Sequence, residues 1–186
     1  MIESAEQELL FGLARAAIQA GLAGDPLPEL PAHGPALSRL AGAFVTLRCR
    51  GELQGCIGYI EPERPLIEAV RELAIRAAFH DRRFTPLRPN QLAGLELEIS
   101  VLTPPAPIPA SDLPAAVKVG RDGLIVRHEG RSGLLLPQVA SERSWDALTF
   151  LQQTSLKAGL PPEAWREPGA VVEAFQCEVY HESQSL

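Results

Sequence analysis

The stretch Gly51–Ile60, GELQGCIGYI, places one cysteine between two glycines in an apolar run that has the character of a β-strand. Strand interiors usually avoid glycine, because it weakens the strand and offers no side chain to pack. With the two-residue alternation of a strand, Gln54, Cys56 and Gly58 share one face. The sulfur of Cys56 is therefore left with little cover, so that a second backbone or a ligand is able to approach it closely.

Two interpretations of Cys56 follow. In the first, the thiol is a catalytic nucleophile or a ligand contact, and Gly55 and Gly58 supply an open backbone platform beside it. In the second, Cys56 is a small hydrophobic residue in a tightly packed strand, since free cysteine is among the residue types that are most often buried. The strand residues by themselves leave both interpretations open.

A catalytic thiol also needs a base, a cation or a helix N-terminus that favours its thiolate. The helix that we predict to begin near Pro65 offers its dipole. The segment HDRRF supplies His80 as a candidate base, with Arg82 or Arg83 as a candidate cation. The sequence does not place any of these groups within reach of Cys56.

The segment AAFHDRRF, residues 77–84, follows directly on the end of that helix and has two interpretations of its own. In the structural one, Asp81 binds backbone N–H groups of the turn, Arg83 pairs with it or with exposed carbonyls, and Phe84 holds the loop on the core. In the functional one, Asp81 and Arg83 point into a cleft beside the Cys56 strand. Arg83 would then receive a carboxylate or phosphate in two-point contact.

Working outward, the alternation of residues indicates an α+β fold with mainly antiparallel sheets. Residues 43–60 form a predicted hairpin that turns at Arg50–Gly51, and a helix from Pro65 to Phe79 and the alternating strand LELEISVL follow. The second half of the chain has the same order of hairpin, helix and strand, which suggests an internal duplication. Ser4 and Gln7 fit a capping box for an N-terminal helix that ends at Gly21.

These elements predict a single domain over residues 1–186. It divides into an N-terminal helix, a Pro-rich connector and two hairpin-helix-strand units, at residues 1–22, 23–42, 43–103 and 115–182.

Composition excludes several classes of function. The net charge is −6 and the pI is near 5.3, so the basic footprint of a nucleic-acid-binding protein is missing. No apolar run approaches the roughly 20 residues of a membrane span, and the acidic N-terminus does not resemble a signal peptide. We therefore expect a cytoplasmic protein with no nucleic-acid or membrane partner.

The three cysteines show neither disulfide nor metal-ligand spacing. Cys49 and Cys177 are in phase with apolar residues of their strands, and we predict that both are core thiols. The segment GRDGLIV lacks the pattern of a P-loop or a dinucleotide fingerprint, so no cofactor is expected.

Several stretches, in this order, resemble the AMMECR domain family, whose prokaryotic members include protein A of the AmmeMemoRadiSam system. They are LQGCIGYI, AAFHDRRF, LELEISVLTPP, GRDGLIV, LLLPQVA followed by Trp145, and LKAGL with Trp165. The family signature has arginine where this chain has Gln54, whereas Gly55, Cys56 and Gly58 match it. The role of an arginine at that position therefore does not carry over to this protein.

The resemblance implies an α+β fold of two unequal lobes around a cleft, with the signature near that cleft. It also implies a Memo-like protein and a radical-SAM enzyme as possible partners, but no settled reaction. One hypothesis is a small-molecule-binding or accessory enzyme component that uses Cys56, the Gln54–Gly58 strand and the His80–Arg83 turn. The alternative is a non-catalytic interaction subunit that presents or stabilises those partners.

Overall fold

The computed structural model describes residues 2–182. The helices are α1 (Ser4–Ala23), α2 (Pro35–Ser38), α3 (Leu66–Phe79), α4 (Pro137–Glu142) and α5 (Ala147–Lys157). The strands are β1 (Ala43–Cys49), β2 (Glu52–Tyr59), β3 (Leu95–Leu102), β4 (Ala106–Pro107), β5 (Asp122–His128), β6 (Arg131–Leu135) and β7 (Val171–His181). Short 3₁₀ helices cover Pro89–Gly94, Ala110–Asp112 and Ala164–Arg166. The strand pairs β1–β2, β1–β3, β4–β7, β5–β6 and β5–β7 are all antiparallel. Together with the helices they confirm the α+β class.

The chain divides into two compact units. Unit 1 is built from the residues up to Leu102 and from Glu178 onwards, and unit 2 is Thr103–Cys177. Strand β7 therefore contributes its first part to unit 2 and its last part to unit 1. This division differs from the predicted one, which assigned all of residues 115–182 to the second unit.

In unit 1, β1 is the central strand of a sheet in the order β2-β1-β3. A two-residue turn joins β1 to β2, and its residues Arg50 and Gly51 have φ angles of 53° and 81°. Such positive φ angles are typical of tight hairpin turns. Helix α3 packs on this sheet and α1 packs on α3, and together they form the core of the unit. Its largest fully buried side chains include Leu10, Ile18, Leu47, Leu66, Ile67, Leu73 and Ile99.

Helix α1 begins and ends differently from the prediction. Its N-cap is Glu3, whose backbone N–H donates to the Glu6 carboxylate at 3.4 Å, so Ser4 is already helical. The helix continues through Gly21 to Ala23, and its C-cap is Gly24, which has φ = 76°. Gly21 is instead a packing position, because a Cβ there would lie 2.6 Å from the ring of Phe79 in α3.

Unit 2 repeats the order of unit 1. Its sheet has the order β6-β5-β7, so that the first strand of the hairpin is again central, and the helical segment again lies between the hairpin and the last strand. Asp146 caps α5 by accepting the backbone N–H of Thr149 at 2.7 Å. The buried core gathers around Phe150, Trp165 and Leu124. The internal duplication itself stays a prediction from the sequence.

Candidate functional site

Cys56 lies on β2, the edge strand of the unit 1 sheet. The turn that follows α3 supplies hydrogen-bond partners for its outward-facing backbone groups. The Asp81 carboxylate accepts the Cys56 N–H at 2.9 Å, and the Arg83 guanidinium donates to the Cys56 carbonyl at 3.0 Å. Two side chains thus take the place of a neighbouring strand and fix the Cys56 backbone.

The Asp81 side chain is 4% exposed and accepts four hydrogen bonds. Besides the Cys56 N–H, its donors are the backbone N–H of Arg83 at 3.2 Å and the Nε and Nη2 of the same guanidinium at 3.0 and 2.7 Å. Hydrogen bonding to Arg83 is the largest cause that holds the pKa of Asp81 far below its ordinary value. The carboxylate is therefore charged and committed to contacts within the chain.

The thiol of Cys56 has a second polar neighbour. In the β1–β2 register Thr46 lies directly opposite Cys56, and its hydroxyl donates to the Cys56 sulfur at 3.3 Å. The hydrogen bond to the Asp81 carboxylate is the main cause that raises the pKa of Arg83, and burial of the guanidinium opposes this rise. Electrostatic attraction to Asp81, and to a smaller extent to Cys56, adds to the rise. The half-buried sulfur therefore accepts a hydrogen bond from a hydroxyl, while the Arg83 guanidinium binds the backbone of the same residue.

The flanking glycines allow close packing on the two faces of β2. A Cβ at Gly55 would lie 2.0 Å from the carbonyl oxygen of Ala77, so this position admits the backbone of α3. A Cβ at Gly58 would lie 2.2 Å from the ring of Phe44, its partner on β1. The sequence predicts the approach of a second backbone or a ligand at these glycines; the structure shows a second backbone at Gly55, and at Gly58 it shows an aromatic ring that was not predicted.

Gln54 sits at a β-bulge. Leu47 pairs with Gly55 and Arg48 pairs with Leu53, so Gln54 has no partner on β1. Bulges of this kind re-aim a side chain. The Gln54 amide donates to the carbonyl of Thr85 at 2.8 Å and accepts from the Gln91 amide at 3.0 Å. The residue that replaces the signature arginine is therefore tied to the segment that runs along the edge of β2.

His80 is the C-cap of α3, where its backbone N–H donates to the carbonyl of Arg76. Within residues 2–182, no hydrogen bond or ion pair joins its imidazole to Cys56 or to any other group. The structure therefore brings Asp81 and Arg83 to the strand that carries Gln54 and Cys56, and it connects His80 to that strand only through the chain.

Cys49 and Cys177 are half-buried, so the prediction of two core thiols is wrong. The Cys49 sulfur is 3.7 Å from the carbonyl oxygen of Gln91, at the rim of unit 1 and not in its core. Across the part of the chain that the structure describes, no group of three or more His, Cys, Asp or Glu side chains is placed to hold a metal ion.

Sequence reasoning missed Thr46 and Gln91. Thr46 is a polar residue on a strand that borders Cys56, which was a usable signal. The β-bulge at Gln54 determines which residue of β2 lies opposite Thr46, however, and a bulge has no dependable signal in the sequence. Gln91 comes 37 residues after Gln54, and only the folded chain brings the two amides together.

Comparison with known proteins places the fold and the signature in a family. The family model AMMECR1 matches residues 11–180. The chain belongs to the AMMECR1 family. An AMMECR1 relative from Methanothermobacter thermautotrophicus is 47% identical over 181 residues, which cover 95% of this chain and 94% of the relative. A relative from Thermococcus gammatolerans is 48% identical, with 94% and 89% covered.

The AMMECR1 fold is also seen in a solved structure. The crystal structure of an uncharacterised protein from Pyrococcus horikoshii matches with a TM-score of 0.85 and 42% identity, over 97% of this chain and 93% of that one. The GCIG strand and the Asp81–Arg83 turn both fall within the matched AMMECR1 residues. In the described part of this AMMECR1 chain, no helix combines the length and apolar character that crossing a membrane requires.

Proposed function

We propose that this AMMECR1 protein is a small-molecule-binding or accessory enzyme component whose site is the Cys56 strand. The observation that supports the proposal is the fixed position of Cys56. Asp81 and Arg83 hold its backbone from the edge, and the Thr46 hydroxyl holds its sulfur. A thiol held in this way needs little rearrangement to contact a ligand, which lowers the entropic cost of binding or reaction.

Arg83 suits an anionic ligand. Its side chain is 60% exposed, and its Nε and Nη2 atoms are engaged with Asp81 and the Cys56 carbonyl. Among residues 2–182, its Nη1 atom has no hydrogen-bond partner. A carboxylate or phosphate that bound Nη1 would therefore lie beside the Cys56 strand, with the guanidinium already oriented by Asp81.

Thiol alkylation tests this proposal. A Cys49→Ser/Cys177→Ser protein leaves one thiol, and its rate of reaction with iodoacetamide is followed from pH 6 to pH 9. We expect Cys56 to react faster than a free cysteine near neutral pH, because the Thr46 hydroxyl donates to its sulfur and Arg83 fixes its backbone. Arg83→Gln should slow the reaction several-fold, whereas Arg82→Gln, at the exposed neighbouring arginine, should not. A rate like that of free cysteine, unchanged by Arg83→Gln, would overturn the proposal.

A second candidate is a non-catalytic subunit that binds a Memo-like protein and a radical-SAM enzyme. It is favoured by the contacts of the turn, because Asp81 uses its acceptors within the chain and, within residues 2–182, no hydrogen bond joins His80 to the thiol. On this reading the Asp81–Arg83 turn stabilises the edge of β2 and supplies no base. The partners are those implied by the AMMECR resemblance.

Co-purification separates the two candidates. The tagged AMMECR1 protein is expressed with a Memo-like protein and a radical-SAM enzyme from the same source organism, and the complex is analysed by size-exclusion chromatography. A stable complex that survives Cys56→Ser supports the interaction subunit. Separate elution of all three proteins, together with a reactive Cys56, supports the ligand-binding component.

A further inference from the structure

Unit 1 contains a cavity of about 480 Å³ at the turn end of the β1–β2 hairpin. Its polar lining comes from the hairpin and from the 3₁₀ helix before β3, and includes Arg50, Glu52, Gln54, Asn90 and Gln91. The side chains of the proposed thiol site, at Cys56, Asp81 and Arg83, do not line it. The volume is within the range of sites that bind small molecules.

One wall of the cavity is a chain of oriented amides. The Gln91 Oε1 atom accepts the backbone N–H of Arg88 at 2.8 Å, and the Gln91 amide donates to Gln54 Oε1 at 3.0 Å. The Gln54 amide then donates to the carbonyl of Thr85 at 2.8 Å. A backbone donor at one end and a backbone acceptor at the other fix which way both amides point. Each amide retains donor or acceptor capacity for a ligand.

The rim carries two unpaired charges of opposite sign. Within the described residues, neither the Arg50 guanidinium nor the Glu52 carboxylate takes part in an ion pair or a hydrogen bond. The backbone N–H of Arg50 donates to the carbonyl of Gly94 at 3.1 Å, which ties the hairpin turn to the 3₁₀ helix. A Cβ at Gly94 would lie 3.2 Å from Arg50 Cγ, so the arginine side chain lies close along that glycine.

We infer that this cavity binds a free α-amino acid with an amide or hydroxyl side chain. The ligand carboxylate pairs with Arg50, its ammonium pairs with Glu52, and its side chain hydrogen-bonds to the amides of Gln54 and Gln91. A ligand with only negative charge would be repelled by Glu52, and an apolar ligand would leave the amides without partners. The inference is independent of the thiol site, because no atom of Cys56 takes part.

Isothermal titration calorimetry of the full chain with L-glutamine tests the inference. We expect saturable binding with a Kd near or below about 1 mM. Two analogues probe the charges: glutaramate lacks the ammonium group, and glutaric acid lacks both the ammonium group and the amide. Each should bind at least about tenfold more weakly, because each leaves a charged group of the cavity unpaired.

Two variants test the assignment of residues. Arg50→Gln and Gln54→Leu should each weaken L-glutamine binding about tenfold or more. Arg48→Gln, which removes a nearby exposed cation outside the cavity, should leave the Kd unchanged. Absence of binding to L-glutamine, L-asparagine and L-serine at about 10 mM overturns the inference. Binding that survives both Arg50→Gln and Gln54→Leu also overturns it. The iodoacetamide test of Cys56 is a separate measurement that uses neither L-glutamine nor these variants. Failure of the cavity is therefore distinguishable from failure of the thiol site.

Discussion

The Asp81 carboxylate and the backbone N–H of Cys56 lie 2.9 Å apart, although 25 positions separate the two residues in the chain. The contact closes the exposed edge of β2 beside the GCIG signature. An open edge is a template for pairing with another strand, and Asp81 and Arg83 occupy the two backbone groups of Cys56 that such pairing would use. The stretches LQGCIGYI and AAFHDRRF, which both carry the family resemblance, thus contact each other directly.

Loss of the Asp81 charge should destabilise the protein in a pH-dependent way. Because the folded state depresses the pKa of Asp81, its ionised form contributes stability above the unfolded pKa of about 4, and the contribution is lost as pH falls below that value. We expect Asp81→Asn to lower the free energy of unfolding by about 2 kcal/mol at pH 7. Urea denaturation at pH 7, 5, 4 and 2.5 should show a constant deficit down to pH 5 that shrinks at pH 2.5. A deficit that is equal at every pH would contradict the assignment.

Gly55→Ala should be among the most destabilising substitutions in unit 1. The added Cβ would lie 2.0 Å from the Ala77 carbonyl, and backbone of a packed helix has little freedom to move away. We expect a loss of at least about 3 kcal/mol, measured by chemical denaturation. Gly12→Ala in α1 is the matched control, because a Cβ added there would meet no neighbouring atom within 4 Å. That substitution should stabilise the helix by about 0.5–1 kcal/mol. Equal effects at the two glycines would contradict the close packing of α3 on β2.

Thr46→Val should slow alkylation of Cys56. Valine has nearly the shape of threonine but lacks the hydroxyl that donates to the sulfur at 3.3 Å. Removing one hydrogen bond to the thiolate should reduce the iodoacetamide rate near neutral pH about two- to tenfold in the single-thiol protein. Thr46→Ser keeps a hydroxyl and should retain most of the rate. If Val and Ser variants react alike, the hydroxyl does not act on the sulfur.

Restoring the signature arginine should be unfavourable unless Gln91 changes with it. Gln54→Arg removes the oxygen that accepts from the Gln91 amide and leaves that donor facing a cation. We expect a loss of about 1 kcal/mol. Gln91→Glu supplies an anion at the same place, so the double variant should recover about 0.5–1 kcal/mol relative to the sum of the single variants. A double-mutant cycle of unfolding free energies measures this coupling, and additive effects would contradict the expected recovery in the Gln54→Arg/Gln91→Glu double variant.

The sequence predicted the elements that depend on local patterns. Alternation located β1, β2 and β3, and the apolar stripe of α3 gave its bounds to within one residue. The same reasoning failed where a local pattern had two meanings. Gly21 resembles a helix stop, but it is the residue over which the Phe79 ring packs. Cys49 follows the phase of Val45 and Leu47, yet it lies at the strand end, where the core no longer covers it.

The sequence by itself determined the family, the order of hairpin, helix and strand, and the stretches that surround Cys56, because these depend on neighbouring residues and on period. Only the tertiary structure decided what those residues contact. Counting back from the Arg50–Gly51 turn would pair Thr46 with Gly55, but the bulge at Gln54 moves its partner to Cys56. The bulged amide is bound by Thr85 and Gln91, which lie 31 and 37 residues further along the chain. Such contacts form only when the chain closes on itself, so no local pattern records them.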